Sequence, residues 1–189
     1  MIYIALLRGI NVGGNNKINM KKLKETFEKA GMSHVTTYIN SGNIIFSSDV
    51  QSNEELSLQV EHAILEDFSL PIRVIVRNMA EIQAIMKALP EEWSNDTQMK
   101  SDVLFLWNEI NDISVLEKLP LKPGIGHVMY TSGAVLFSVS REHITTSGMT
   151  KLAGSSLYQH MTVRNVNTTR QIYKLMQTAE QEELRALDS

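Results

Sequence analysis

Cysteine is absent from the 189-residue sequence, which excludes a disulfide scaffold, a zinc ribbon and a thiolate nucleophile. No stretch approaches the roughly 18 uninterrupted apolar residues that a membrane-spanning helix needs. The first residues lack the basic segment and small-residue cleavage site of a signal peptide, so we expect a cytoplasmic protein without membrane association. The remaining composition, with 43% hydrophobic and 21% charged residues, is that of an ordinary globular protein.

Several motifs of known chemistry are also missing. Gly9 to Lys17 resembles a phosphate-binding P-loop in its glycine spacing, but Ile18 stands where the magnesium-binding hydroxyl belongs. Gly124 and Gly126 lack the third glycine of a dinucleotide-binding fingerprint. No two of the five histidines have helical ligand spacing, so neither a metal site nor a cofactor is expected. With no nucleophile elbow and no proton-transfer pair, the sequence leaves open whether the protein is an enzyme.

Charge is unevenly distributed along the chain, although the net charge is only −3. Residues 1–24 contain five basic side chains and no acidic one, and residues 143–179 contain four basic and no acidic one. If the fold brings these two windows together, they form a positive patch that favours an anionic ligand. The alternative is that the lysines near residue 22 form the solvated outer face of a helix.

Hydrophobic periodicity predicts the order β-α-β-β-α-β twice. In the first copy we expect strands at 2–8, 35–39, 43–47 and 71–77, and helices at 20–30 and 53–68. In the second we expect strands at 103–107, 128–131, 134–140 and 161–164, and helices at 113–119, 149–160 and 169–187. This order is the ferredoxin-like arrangement, an α+β fold in which helices cover one face of an antiparallel sheet.

An internal repeat supports the duplication. The pattern Ser-Gly-x-apolar-apolar-Phe-Ser occurs at 41–47 and again at 132–138, at the same place in each series. We therefore predict two tandem ferredoxin-like halves at 1–78 and 101–189, the second ending in a C-terminal helix. A linking helix and loop at 79–100 are expected to join them.

Three polar segments at the ends of predicted elements contain the candidate ligand-binding residues. The first follows the first strand and opens the first helix, where exposed backbone N–H groups can cradle an anion. Arg8, at the strand end, is a planar and permanently charged donor for phosphate or carboxylate. The alternative is that Asn and Gly only shape a long connection. The candidates of this segment are Arg8, Asn11, Gly13, Gly14, Asn15 and Lys17.

The second segment is the end of the first predicted hairpin. A turn alone explains Asn40 and Gly42, because both residue types tolerate positive φ. Tyr38, Ser41 and Asn43 add three further polar groups at the same hairpin end. The segment is therefore either a plain turn or part of a binding site.

The third segment, residues 162–169, precedes the last predicted helix. Asn167 or Thr168 is expected to cap that helix. Arg164 and Asn165 are not needed for capping. A guanidinium beside a helix N-terminus is a good anion site, since the helix dipole and the charge act together. We therefore include Arg164, Asn165 and Asn167 among the candidate ligand-binding residues.

These segments carry a family resemblance. ALLRGINVGG at 5–14, TYINSGN at 37–43 and TVRNVNT at 162–168 resemble the signatures of a widespread bacterial domain-of-unknown-function family. The resemblance extends over essentially the whole chain and implies two ferredoxin-like repeats. It implies no catalytic residue, because the family has no assigned activity. The last motif departs from the family pattern, which usually has an aromatic residue where this chain has Val166.

The leading hypothesis is a cleft between the two halves that binds a small anionic ligand, such as a nucleotide or a phosphorylated metabolite. Arg8 and Arg164 would neutralise the anion, and the N–H groups of Gly13 and Gly14 would cradle it. The amides expected to orient it are those of Asn11, Asn43 and Asn165. Two alternatives stay open. One is a nucleic-acid-associated protein that uses the same patch, against which the poor aromatic supply argues. The other is a structural or oligomerisation domain, and the oligomeric state stays open.

Overall fold

The computed structural model describes residues 1–187, which divide into two compact units. The first unit is Met1–Ile82 together with the C-terminal segment from Ile172, and the second is Gln83–Gln171. The second boundary, between Gln171 and Ile172, falls inside the C-terminal helix. Within the described part of the chain, no helix combines the length and apolarity needed to cross a membrane.

The first unit is a four-stranded antiparallel sheet with two helices packed on one face. Its strand order is β2-β3-β1-β4, with β1 and β3 in the centre. Alternate strand residues and the helices share one core, in which Tyr3, Phe27 and Phe46 form aromatic contacts. The elements are β1 (Ile2–Leu7), α1 (Met20–Lys29), β2 (Ser33–Tyr38), β3 (Asn43–Ser47), α2 (Asn53–Phe68), β4 (Val74–Asn78) and α3 (Met79–Ala88).

The second unit repeats the same sheet topology with a thinner helix layer. Its strand order is β6-β7-β5-β8, again antiparallel throughout. The elements are β5 (Met99–Leu106), α4 (Val115–Lys118), β6 (His127–Thr131), β7 (Ala134–Ser140), α5 (Met149–Ala153), β8 (Met161–Asn165) and the start of α6 (Val166–Leu187), which continues into the first unit from Ile172. The predicted α+β fold with two ferredoxin-like halves is therefore confirmed.

The register of the two sheets shows that the similarity between the two halves extends beyond the Ser-Gly repeat. Tyr3 pairs with Phe46 in the first sheet, and Asp102 pairs with Phe137 in the second. The Val-Arg-Asn sequence at the end of β4 recurs at the end of β8, at 76–78 and 163–165, and sequence analysis missed it. Each unit therefore has structurally equivalent positions that can be compared residue by residue.

Two predicted elements differ from the observed ones. The helix expected at 149–160 is wrong as a continuous element, because α5 ends at Ala153 and a separate 3-10 turn covers Ser156–His160. Gly154 ends α5, and glycine is the weakest helix former apart from proline. The last helix begins at Val166 and not at 169, because its cap lies further upstream than expected.

Candidate functional site

Residues 11–16 form a short exposed β-hairpin, here called the 11–16 finger. The N–H of Asn11 donates to the carbonyl of Asn16 over 3.1 Å, and the N–H of Asn15 donates to the carbonyl of Val12 over 3.0 Å. Gly13 and Gly14 form the tip with φ of +59° and +79°. Two consecutive positive φ angles are typical of the tightest hairpin turns, which explains the glycine pair locally.

The asparagine side chains of this segment fix the loop. The side-chain oxygen of Asn11 accepts from the N–H of Ile18 over 2.9 Å. Its amide nitrogen donates to the carbonyls of Ile18, over 3.1 Å, and Asn40, over 2.9 Å. The amide of Asn16 donates to the carbonyl of Gly9 over 2.9 Å. These contacts give Asn11 and Asn16 a structural role, and Asn11 also ties the first candidate segment to the second.

The hairpin between β2 and β3 is likewise held by its own polar groups. Asn43 is fully buried, and its amide donates to the carbonyl of Tyr38 and to the hydroxyl oxygen of Ser41, each over 3.0 Å. Gly42 has a φ of +82°. A Cβ at Gly42 would lie 2.7 Å from the Cβ of Leu7, so only glycine fits here. Asn43 is thus explained by the fold of the hairpin.

A groove of about 570 Å³ opens beside the finger at the N-terminus of α1. It contains two lysines, and no carboxylate lines it. Within residues 1–187, neither the Lys17 nor the Lys21 ammonium has a hydrogen-bond or ion-pair partner. The lining residues are Asn11, Gly14, Lys17, Ile18, Asn19, Met20, Lys21 and Asn40.

The backbone at the start of α1 adds free donors to this groove. Asn19 caps the helix, and its side-chain oxygen accepts from the N–H of Lys22 over 3.0 Å. The N–H groups of Met20 and Lys21 have no acceptor in the described part of the chain. Unsatisfied N–H groups and the positive end of the helix dipole point at the same place, where an anion is stabilised.

The other two lysines of α1 are committed to contacts within the first unit. The Lys22 ammonium donates to the carbonyl of Asp67 over 3.1 Å and lies 4.8 Å from the ring centroid of Phe68. Lys24 forms a helical ion pair with Glu28 at 3.7 Å. Lys22 and Lys24 therefore belong to the helix surface, as the alternative hypothesis expects, whereas Lys17 and Lys21 line the groove.

A second groove, of about 340 Å³, is lined by other residues of the finger. Arg8 and Arg73 both line it, together with Asn15, and no carboxylate does. Strand pairing brings the arginines together, because the N–H of Arg8 donates to the carbonyl of Arg73 over 3.0 Å. Arg73 was not among the sequence-predicted residues. Arg73 directly precedes β4, and only the pairing of β4 with β1 brings it beside Arg8.

Behind Arg73 lies the carboxyl of Glu61, on α2. It accepts a hydrogen bond from the N–H of Val74 over 2.7 Å. Burial raises the pKa of Glu61 above its usual 4.5, and the bond from Val74 and the charge of Arg73 act in the opposite direction. Glu61 does not line either groove, so it leaves both free of negative charge at their walls.

The third candidate segment lies in the second unit, where each residue has a structural partner. Arg164 is only 7% exposed and donates to the hydroxyl oxygen of Thr162 over 3.0 Å and to the carbonyl of Val163 over 2.9 Å. Burial lowers the pKa of Arg164 to about 10, so the guanidinium stays charged at neutral pH. Asn167 donates to the carbonyl of Asn95 over 2.9 Å.

Asn165 caps the last helix. Its side-chain oxygen accepts from the N–H of Thr168 over 2.9 Å. The expectation that Asn167 or Thr168 would cap this helix, and that Asn165 would not be needed for it, is wrong. Because α6 follows β8 without a linker, the last residue of the strand is itself the N-cap of the helix.

The candidate site therefore belongs to the first unit and includes residues that sequence analysis passed over. Lys21 was assigned to the helix surface, and its position two residues after the capping Asn19 was the available signal. Among residues 1–187, no three His, Asp or Glu side chains come together in a way that could hold a metal ion. The site offers cations and backbone donors, which suit an anion.

Comparison with known proteins agrees with this fold. The chain is similar to a solved structure described as the conserved bacterial protein SP0830 from Streptococcus pneumoniae, with 29% sequence identity and a TM-score of 0.79. The match covers 93% of this chain and 98% of that one. No curated protein matches the chain. A model of the DUF1697 family, described as a protein of unknown function, matches residues 1–137. The chain therefore belongs to the DUF1697 family.

Proposed function

We propose that the first unit binds a small anionic ligand, such as a nucleotide or a phosphorylated metabolite, at the N-terminus of α1. The observation that carries the proposal is the groove of about 570 Å³ in which Lys17 and Lys21 lie without partners and which no carboxylate lines. Two unneutralised ammonium groups at one groove are electrostatically unfavourable, and a bound anion relieves their repulsion.

The ligand chemistry follows from the donors. The N–H groups of Met20 and Lys21 would donate to phosphate oxygens, as at other helix N-termini, and the two ammonium groups would supply the counter-charge. Gly14 lines the same groove, where the lack of a side chain lets a ligand approach the backbone. The volume lies within the usual range for small-molecule sites, which is roughly 300–1,000 Å³.

The second groove, which Arg8 and Arg73 line, extends the proposal to a ligand with a second anionic group. Arg8 and Arg73 would bind it on the other side of the finger, since guanidinium groups pair well with phosphate or carboxylate. In this proposal Asn11, Asn40, Ser41 and Asn43 shape the loops, and the cations and backbone N–H groups contact the ligand.

A thermal-shift screen against nucleotides, sugar phosphates and dicarboxylates tests the proposal. We expect stabilisation by at least one phosphorylated compound, and its loss in the double variant Lys17→Gln, Lys21→Gln. The matched control is Lys24→Gln, Lys29→Gln, which removes the same amount of charge from α1 at positions outside the groove. A flat response to the whole panel, or equal responses in both double variants, would contradict the proposal.

The nucleic-acid hypothesis gives a different result in the same system. Binding to a nucleic acid through phosphates weakens steeply with added salt, because several counterions are released for each complex. A single phosphorylated metabolite has a much smaller salt dependence. Tight binding of an oligonucleotide with a steep salt slope, and no response to small phosphates, would favour the nucleic-acid alternative.

A further inference from the structure

The second unit contains a cavity at a position that the first unit fills with a tyrosine. Tyr3 and Asp102 are equivalent, since they pair with Phe46 and Phe137 respectively in the same register. In the first unit the Tyr3 ring stacks on Phe46 at a centroid distance of 5.6 Å, and its hydroxyl donates to the carbonyl of Val50 over 2.9 Å. The tyrosine ring and its hydroxyl occupy this position in the core of the first unit.

The second unit replaces this packing with a pocket of about 240 Å³. Two differences explain it. Asp102 is much smaller than Tyr3, and the helix covering the site, α5, has five residues where α2 has 16. The walls are mainly apolar and include Met149, Leu152 and Val163.

The pocket is lined by a buried carboxylate, that of Asp102, and by three further residues with polar groups, Lys100, Thr150 and Tyr158. Asp102 is 3% exposed, and its Oδ2 lies 2.8 Å from the Nζ of Lys100. No other group within residues 1–187 bonds the Asp102 side chain. An ionised carboxylate can accept about four hydrogen bonds, so Asp102 has acceptor capacity beyond its contact with Lys100. Lys100 is about one-third exposed and can turn its ammonium toward solvent.

We propose that this pocket binds a small amphipathic molecule whose apolar body packs against Met149, Leu152 and Val163 and whose O–H or N–H group donates to Asp102. The apolar walls exclude a phosphorylated ligand, because burying its charge beside a carboxylate is unfavourable. The volume corresponds to about eight water molecules at roughly 30 Å³ each, which suits a single ring with one short substituent. This site is separate from the anion site and does not depend on it.

The test compares benzyl alcohol, benzylamine and toluene by amide NMR titration of the full chain. The three probes share one ring, but toluene lacks the donor. A hydrogen bond to a charged group contributes about 1.5–3 kcal/mol, so we expect benzyl alcohol to bind at least about tenfold more tightly than toluene. The shifted amides should be those of Met149, Leu152 and their neighbours.

Three variants locate the interaction. In Asp102→Asn the preference for benzylamine over toluene should fall, because the carboxylate charge is removed. Glu92→Gln, an exposed residue outside the pocket, should leave all three affinities unchanged. Ala153→Phe, at the pocket wall, should weaken every probe while Asp102 stays in place. Toluene and benzyl alcohol binding equally in the wild type, equal preferences in wild type and D102N, or no shift at the pocket with any probe would each overturn the proposal.

Discussion

Asn78 and Asn165 have the same role in the two units of the chain. Each ends the last strand of its sheet, and each side-chain oxygen accepts from the backbone N–H three residues further on. The partners are Glu81 at 3.0 Å and Thr168 at 2.9 Å. In both units the strand therefore passes directly into a helix, and the side chain at the junction caps that helix.

The first prediction concerns this cap. Asn165→Ala should lower the free energy of unfolding by about 1 kcal/mol, because the N–H of Thr168 loses its acceptor. Asn165→Asp should retain most of the stability, since Asp caps a helix as well as Asn does. Asn167→Ala is the control and should cost less than about 0.5 kcal/mol, as its contact is exposed. Urea unfolding followed by circular dichroism measures all three, and an equal loss in both alanine variants would argue against the assigned cap.

The second prediction concerns Gly42, at the end of the first hairpin. Gly42→Ala places a Cβ 2.7 Å from the Cβ of Leu7 and 2.9 Å from the Cδ1 of Ile10, at a φ of +82°. We expect a loss of more than about 2 kcal/mol, since both the clash and the positive φ must be accommodated. Gly13→Ala has a positive φ but no atom within 4 Å, so it should cost only about 1 kcal/mol. Thermal unfolding of the two variants should rank them in this order.

The third prediction separates stability from binding at Arg164. Arg164→Gln removes the donor from Thr162 and Val163 in a buried position, so the free energy of unfolding should fall by about 1–3 kcal/mol. Its affinity for phosphate should stay within twofold of the wild type, because the Arg164 guanidinium is buried and bonded to Thr162 and Val163 and does not line the proposed anion site. Arg185→Gln, on the exposed surface of α6, controls for the loss of one positive charge. A variant of normal stability that no longer binds phosphate would show that Arg164 is a ligand residue.

The fourth prediction concerns the pH dependence that Glu61 introduces. Its pKa is raised in the folded protein, mainly by burial. The folded state then binds the proton more tightly than the unfolded state does. The stabilisation from this group is therefore complete below the unfolded pKa near 4.5, and it is lost as pH rises through the folded pKa. Wild type should lose stability relative to Glu61→Gln as the pH rises above about 4.5, because only the wild type ionises there, while glutamine can still accept from Val74. A wild type that gains on the variant over this range would contradict the assignment.

Most of the fold follows from local sequence patterns. The bounds of β3 and α2 match the predicted ranges, because a buried strand and an amphipathic helix carry strong and different periodicities. Hydrophobic periodicity predicts least where a single residue determines the point at which a helix begins or ends. Gly154 interrupts an otherwise helical segment, and Asn165 caps a helix from within a strand. Neither outcome is visible in hydrophobic periodicity.

Less of the site follows from sequence, because the same residue types shape loops and bind ligands. Asn11 reaches Asn40, which is 29 positions away, so its amide was committed to a contact that no local pattern reveals. Its place before the last helix makes Arg164 a candidate anion-binding residue in the sequence, yet its guanidinium is buried and bonded to Thr162 and Val163. The sequence does not distinguish Lys21 from other surface lysines, and only the groove that it lines makes it a candidate ligand-binding residue.

The central claim is that an anion binds where the finger meets the N-terminus of α1. Titration of the chain with inorganic phosphate, followed by backbone amide NMR, tests it most directly. We expect saturable shifts of the Gly14, Met20 and Lys21 amides, and their loss in the Lys17→Gln, Lys21→Gln variant. Shifts spread evenly over exposed amides, or the same saturable shifts in the double variant, would contradict it.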